Sequence, residues 1–299
     1  MPSLEALDRL AKLGLVRVVG VATQPDRPGS RGIVREPAIK EAARSLGLTV
    51  LQPERLAGQD LTMLLSLRPE LLVWAAYGNR IPKALIDAVT GRALNVHASL
   101  LPRWRGAAPV AHAILAGDDE TGVTLMEGTG ELDAGPILAQ AKTKVGDRET
   151  RAELEDRLAK IGGELLEREL PRYLKGELVR RPQEARKVTL APKLDPAKGE
   201  VDLARPAEEL ARVVRAYTLD PGAYLVFRGQ RIGLLRASIA GGQGMEHGRF
   251  ELRDDIPHLA AGAGWLRLDV VRPAGRRAMR GDEWARGLRD LRADERVPS

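Results

Sequence analysis

The stretch Ala93-Leu94-Asn95-Val96-His97-Ala98-Ser99-Leu100-Leu101-Pro102-Arg103-Trp104-Arg105-Gly106-Ala107-Ala108-Pro109 reads as a buried strand running out into a proline-punctuated loop. Residues two apart on a strand share a face, so Asn95 and His97 project together. They stand where the strand gives way to loop, at the carboxyl edge where open α/β sheets bind their ligands. An amide can donate to a developing oxyanion, and an imidazole can donate or accept near neutral pH. Two polar side chains on an otherwise apolar strand are either satisfied internally or used in chemistry.

Outward from this strand the pattern alternates. Upstream lie an amphipathic helix over Leu4–Leu13, a strand over Val16–Ala22, a turn-rich loop over Thr23–Gly32 and a helix over Pro37–Leu46. A short strand at Thr49–Leu51, a helix over 59–67 and a buried strand over Leu71–Ala76 complete the series. Strands alternating with helices predict parallel βαβ units in a layered α/β domain. Downstream a helix is expected around 108–116, then strands at Val123–Met126 and Ile137–Gln140. The turn between these strands, Glu127-Gly128-Thr129-Gly130-Glu131-Leu132-Asp133-Ala134-Gly135, is rich in glycine. Its Asp133 sits between an apolar and a small residue, so it is either an inward-facing carboxylate or a turn former.

A long amphipathic helix over Arg151–Lys175 follows, and then the character changes. Prolines at 171, 182, 192 and 196 accompany Arg172, Lys175, Arg180, Arg181, Arg186, Lys187, Lys193 and Lys198, which reads as an extended basic linker. A helix near 206–216 and short strands at 223–227, 231–238, 249–252 and 265–271, spaced by glycine turns, predict a small β-barrel. The boundaries drawn from this are a catalytic domain over 1–179, a linker over 180–193 and a C-terminal barrel over 194–299.

The chain of 299 residues has 43% hydrophobic residues, few aromatics and no cysteine, which excludes disulfides, thiolate catalysis and zinc–thiolate sites. Its 4 histidines form no ligand-spaced cluster, so no metal is expected. A net charge of +6 fits either a polyanionic partner or a charged, solvated surface. No apolar run approaches the roughly 20 residues of a membrane span, and the first residues lack the apolar core of a signal peptide. A cytoplasmic location is the expectation.

The run from Asn95 to Pro109 closely resembles the signature of the folate-dependent formyltransferases, and its Arg103-Trp104-Arg105-Gly106-Ala107-Ala108-Pro109 extension resembles their methionyl-tRNA branch. Also similar to that branch are Thr23-Gln24-Pro25-Asp26-Arg27-Pro28, Ala76-Tyr77-Gly78, Thr121-Gly122-Val123-Thr124 and Leu132-Asp133-Ala134-Gly135. Ala191-Pro192-Lys193-Leu194, Asp220-Pro221-Gly222-Ala223 and Arg272-Pro273-Ala274-Gly275 extend the likeness over nearly the whole chain. The resemblance implies a Rossmann-like parallel-sheet formyltransferase domain followed by an OB-like β-barrel that binds tRNA. It implies formyl transfer from 10-formyltetrahydrofolate to methionyl initiator tRNA by a monomer, without metal. Asn95, His97 and Asp133 match the family's catalytic trio, and Ser99, Leu100, Leu101 and Pro102 its tetrahydrofolate-binding segment. Arg31 matches a basic loop that contacts tRNA. Arg272, Arg276, Arg277 and Arg280 form a second basic cluster, with no acid among them, that either contacts RNA or is a solvated surface.

The sequence also departs from the family. An opening apolar strand and its loop are not represented before Leu4, which predicts a gap or an exposed edge in the sheet beside Val16–Ala22. Thr129-Gly130-Glu131, Leu219-Asp220, Ile33 and Val34 stand where the family usually has other residues. Two further readings fit parts of the sequence. One is a formyltransferase acting on a small amine, such as a nucleotide or sugar, which leaves the C-terminal barrel and the basic segment over 172–198 unexplained. The other is a non-catalytic RNA-binding protein, which leaves Asn95, His97 and Asp133 without a task.

Overall fold

The computed structural model describes residues 1–28, 34–78, 80–89, 92–242, 246–288 and 295–297. The elements run α1 (Pro2–Lys12), β1 (Val21–Ala22), β2 (Arg27–Pro28), β3 (Val34–Arg35), α2 (Ala38–Ser45), β4 (Val50–Leu51), α3 (Gly58–Ser66), β5 (Leu72–Ala75), α4 (Lys83–Ala88) and β6 (Ala93–His97). They continue with α5 (Pro109–Ala116), β7 (Glu120–Glu127), β8 (Ile137–Lys144), α6 (Arg151–Leu174), α7 (Ala207–Ala216), β9 (Ala223–Phe227) and β10 (Gln230–Ala240). The last are β11 (Phe250–Arg253), β12 (Ile256–Ala260), β13 (Trp265–Pro273), β14 (Met279–Arg280) and α8 (Gly281–Arg286). The chain divides into two compact units. One comprises 1–109, 120–144 and 156–191, and the other 110–119, 145–155 and 192–299.

In the first unit the central sheet has the order β5-β6-β7-β8. The β5–β6 pair is parallel, as the βαβ reading requires, and β7 and β8 add on antiparallel. β6 has a neighbour on each side, and all five of its residues are buried. One of its faces packs on α6, where a Cβ added at Gly162 would lie 2.8 Å from Val96 Cγ1. The helix therefore approaches the strand more closely than a side chain at 162 would permit.

β1 and β4 form a separate parallel pair, with Val21 opposite Val50 and Ala22 opposite Leu51. Among the described residues no ladder joins this pair to β5–β8, so the expected break in the sheet is present. The strand expected over Val16–Ala22 is correspondingly reduced to Val21–Ala22. Residues 16–20 are extended in pattern but have no ladder partner among the described residues, and apolar sequence without a partner does not make a strand.

The second unit is built on an antiparallel sheet of order β11-β12-β13-β10-β9, with β14 on β13. The sheet curls, with a register shift in β10 between Leu234 and Arg236. Phe227 of β9 and Phe250 of β11, from opposite ends of the strand order, stack with centroids 5.2 Å apart, and Trp284 of α8 meets both edge-on. Side chains thus close the sheet as in a barrel; a hydrogen-bonded β9–β11 ladder is not found among the described residues. α7 carries Glu208 and Glu209 in its first turn and Arg215 in its last, which complements the helix dipole. The start of α6 is fixed by a capping box: Thr150 N and Oγ1 donate to Glu153 Oε2 at 2.9 and 2.7 Å. Those bonds from Thr150, with Arg236 beside them, hold the Glu153 carboxyl down at about 2.

Candidate active site

β6 ends at His97, and the buried interior of the unit receives Asn95 and His97, which are 4% and 7% exposed. The turn between β7 and β8 returns to the same place and brings Asp133. Asn95 Nδ2 donates to Asp133 Oδ1 at 3.0 Å, and Gly106 N donates to Asp133 Oδ2 at 2.9 Å. His97 Nδ1 lies 3.7 Å from Asp133 Oδ2, too far for a hydrogen bond but at contact distance. The three residues expected to act together are therefore adjacent.

The other imidazole nitrogen fixes the tautomer. His97 Nε2 is 2.9 Å from the Trp104 carbonyl oxygen. A carbonyl can only accept, so Nε2 carries the hydrogen and Nδ1 of the neutral ring is left with a lone pair facing Asp133. The loop over 98–106 thus serves the site through its backbone, with the Trp104 carbonyl against His97 and the Gly106 N–H against Asp133. Gly106 has φ +126°, and a Cβ there would lie 2.6 Å from the Ala191 carbonyl, so glycine is required on both grounds.

Ser99, Leu100, Leu101 and Pro102 lie in this loop. Ser99 is fully buried, and its Oγ donates to the Arg103 carbonyl at 2.6 Å. Leu101 is buried against Met126 and Ile137, while Leu100 and Pro102 are half-buried. The first and third residues shape the loop, and the second and fourth present surface. Two side chains that sequence reasoning passed over hold the loop in place. Thr124 Oγ1 donates to the Ser99 carbonyl at 2.6 Å and accepts from Leu101 N at 3.0 Å. Gln140 Nε2 donates to the Leu101 carbonyl at 3.0 Å and to Thr124 Oγ1 at 2.9 Å. Their signal was register: Thr124 stands opposite His97, and Gln140 opposite Thr124.

Arg31 lies outside the described residues. Arg272, Arg276 and Arg277 are all exposed, at the end of β13 and in the turn after it, and among the described residues none faces a carboxylate. Neighbouring Arg280 pairs with Asp282 at 2.8 Å. Among the described residues no group of three or more His, Cys, Asp or Glu could hold a metal ion, and no helix is long and apolar enough to cross a membrane.

Residues 4–170 match the formyl transferase family, and residues 193–289 match the formyl transferase C-terminal domain. A methionyl-tRNA formyltransferase of Myxococcus xanthus is 42% identical over 272 residues, covering 90% of this chain and 87% of the relative. That of Halorhodospira halophila is 41% identical over 286 residues, covering 95% and 92%. Among solved structures, an N-formyltransferase from Helicobacter canadensis, in complex with folinic acid and dTDP-3-aminofucose, superposes with a TM-score of 0.68. It is 14% identical, covers 89% of this chain and 95% of its own, and shows the fold alone. HypX from Aquifex aeolicus, in complex with tetrahydrofolic acid, gives a TM-score of 0.61 at 20% identity, covering 81% of this chain and 43% of its own. With both domains matched and two-fifths of its residues shared over nearly its full length, this chain belongs to the methionyl-tRNA formyltransferases of the formyl transferase family.

Proposed function

We infer that this chain transfers the formyl group of 10-formyltetrahydrofolate to the α-amino group of methionine on initiator tRNA, giving N-formylmethionyl-tRNA for translation initiation. The observation that carries the reading is the meeting of Asn95, His97 and Asp133 at the carboxyl end of β6, in a chain so similar to named methionyl-tRNA formyltransferases.

The donor set fits a formyl donor. Asn95 has a second amide hydrogen beyond the one given to Asp133, and Leu100 and Pro102 offer half-buried apolar surface in the adjoining loop. The neutral methionyl amine adds to the formyl carbon, forming the new C–N bond and a tetrahedral intermediate; collapse of that intermediate then breaks the bond to the folate nitrogen. Asn95 donates to the formyl oxygen as negative charge builds there, and one such preorganised donor contributes about 3 kcal/mol. His97 takes the proton lost by the amine on Nδ1, and the Asp133 carboxylate at 3.7 Å stabilises the resulting imidazolium. His97 then returns that proton to the departing folate nitrogen, which has kept the electron pair of the broken bond. Asp133 also holds Asn95 in place, so one carboxylate organises both partners.

Arg272, Arg276 and Arg277, exposed and without a carboxylate partner among the described residues, support a contact with tRNA phosphates, and Arg31 is assigned to the acceptor end on sequence alone. The protein on this reading works as a monomer in the cytoplasm. The test is formyl transfer from 10-formyltetrahydrofolate to methionyl initiator tRNA, run beside an amino-sugar nucleotide as acceptor. Transfer to the tRNA alone is expected, with tRNA affinity reduced when the three arginines become alanine. Transfer to the sugar amine alone contradicts the reading.

A further inference from the structure

Residues 180–191, basic and proline-bounded in sequence, are fastened along their length to the two loops that build the site. At the start, the Arg180 guanidinium grips the Glu127 carboxylate, with Nε 2.9 Å from both oxygens and Nη2 2.7 Å from one. Glu127 is the last residue of β7. Burial, and then the Glu127 carboxylate, push the neighbouring Tyr173 phenol up to about 12, so it stays neutral. Arg181 exchanges both backbone hydrogen bonds with Ile137, the first residue of β8, at 2.8 and 3.0 Å. Both strands that flank the Asp133 turn are thereby tied to this segment.

Gln183 then reaches into the turn itself. Its Nε2 donates to the carbonyls of Asp133 and Gly135 at 2.9 and 2.8 Å, and its Oε1 accepts from Arg105 Nε at 2.9 Å. Both carbonyls can only accept and the guanidinium can only donate, so only one orientation of the amide satisfies all three bonds. Further along, Thr189 Oγ1 accepts from Trp104 N and the Thr189 carbonyl accepts from Arg105 N, each at 2.9 Å. Ala191 N donates to the Arg105 carbonyl at 2.7 Å. The segment therefore joins the loop that supplies the Trp104 carbonyl and Gly106 N–H to the turn that supplies Asp133.

The backbone of Asp133 shows why the turn must be held. Its φ is +48°, a left-handed conformation that costs a non-glycine residue on the order of 1 kcal/mol or more. A single-residue relaxation there would swing the carboxylate away from Asn95, Gly106 N and His97. We propose that Gln183, with Arg105 behind it, is a positioning residue for formyl transfer: its amide locks the carbonyls of Asp133 and Gly135, and so aims the Asp133 carboxylate at Asn95 and His97. The proposal rests on the reading of Asp133 as part of the catalytic set.

The experiment uses the full chain and two variants, Gln183→Ala and Gln183→Glu. The second is nearly isosteric and keeps a partner for Arg105, but it removes both N–H donors, so it remains informative if the alanine variant folds poorly. Each is expected to lower kcat by about 10-fold, with KM for methionyl-tRNA and thermal midpoint little changed. In an Asp133→Ala background the same changes should alter the residual rate by no more than about 2-fold, because a residue that acts through Asp133 has nothing left to position. Wild-type kcat in Gln183→Glu, or an equal fold-loss in the Asp133→Ala background, overturns the proposal while the site reading stands. Wild-type transfer by Asp133→Ala alone removes the site reading and the proposal together.

Discussion

The first unit contains two parallel strand pairs, and they differ in almost every respect that matters. β6 pairs with β5 on one side and β7 on the other, runs five residues and is buried throughout. β1 pairs with β4 alone among the described residues, runs two residues, and has both of them half-buried. The apolar content of the two sequences, Val18-Val19-Gly20-Val21-Ala22 and Ala93-Leu94-Asn95-Val96-His97, is not what separates them. A neighbour on each edge satisfies the backbone of β6, and α6 covers one of its faces. That frame carries Asn95 and His97. The β1–β4 pair is joined across the break by a side chain instead: Gln24 Nε2 donates to the Tyr77 carbonyl at 3.0 Å. It is also held by charge, with Lys40 Nζ 2.5 Å from Asp26 and 3.0 Å from Glu36, and Gln52 bonded to Asp26 at 2.7 Å.

Amide hydrogen exchange should separate the two pairs most widely. The Val21 and Thr23 amides, bonded to the Thr49 and Leu51 carbonyls, should exchange through local opening roughly 100-fold faster than amides in the β6–β7 ladder. Equal protection would mean that the pairs open as one body and would break the contrast. A smaller effect is expected from glycine replacement. At Gly162 a new Cβ meets Val96 Cγ1, a short branch on the buried strand, at 2.8 Å, whereas at Gly20 it meets the flexible tip of Leu67 at 2.7 Å. Overpacking of about 1–3 kcal/mol, partly offset by about 1 kcal/mol of helix propensity, should leave Gly162→Ala destabilised in urea denaturation. Gly20→Ala should sit near neutral, within about 0.5 kcal/mol of the parent.

Acid gives the finest distinction. Hydrogen bonds from Lys40 and then Gln52 hold Asp26 below the usual carboxylate range, and Lys40 does the same for Glu36. A carboxyl whose folded pKa is depressed stabilises the fold above its unfolded value of about 4, and that contribution is lost as pH falls through the folded value. Protection of Thr23 should therefore fall below about pH 4 while the β6–β7 ladder holds. Asp26→Asn should flatten the Thr23 response; an unchanged acid profile in that variant would remove the charge network from the explanation.

What the sequence disclosed follows the same physics. β6 was legible because Ala93, Leu94 and Val96 are apolar and the proline-punctuated loop marks its end. β8 extends past the expected Gln140 to Lys144, since its outer residues pair with β7 although Lys142 and Lys144 are exposed. β12 and α8 escaped notice because each is short and interrupted in pattern. Asn95 and His97 announced themselves as polar residues on an apolar strand. Asp133 could be suspected from its apolar and small neighbours, but not its positive φ or its bond to Gly106 N. Gln183 gave no signal at all: it lies 50 residues from Asp133, in a segment whose composition suggests only a basic linker.

Formyl transfer at the end of β6 is tested most directly through His97. The measurement is the single-turnover rate of formyl transfer to methionyl initiator tRNA by the full chain with His97→Ala, with tRNA Kd determined in parallel. The predicted result is a rate lower by about 100-fold or more, with Kd within about 2-fold of the parent, because on the proposed mechanism His97 moves a proton and does not hold the RNA. A rate near that of the parent, with the variant folded and binding tRNA, would contradict the account.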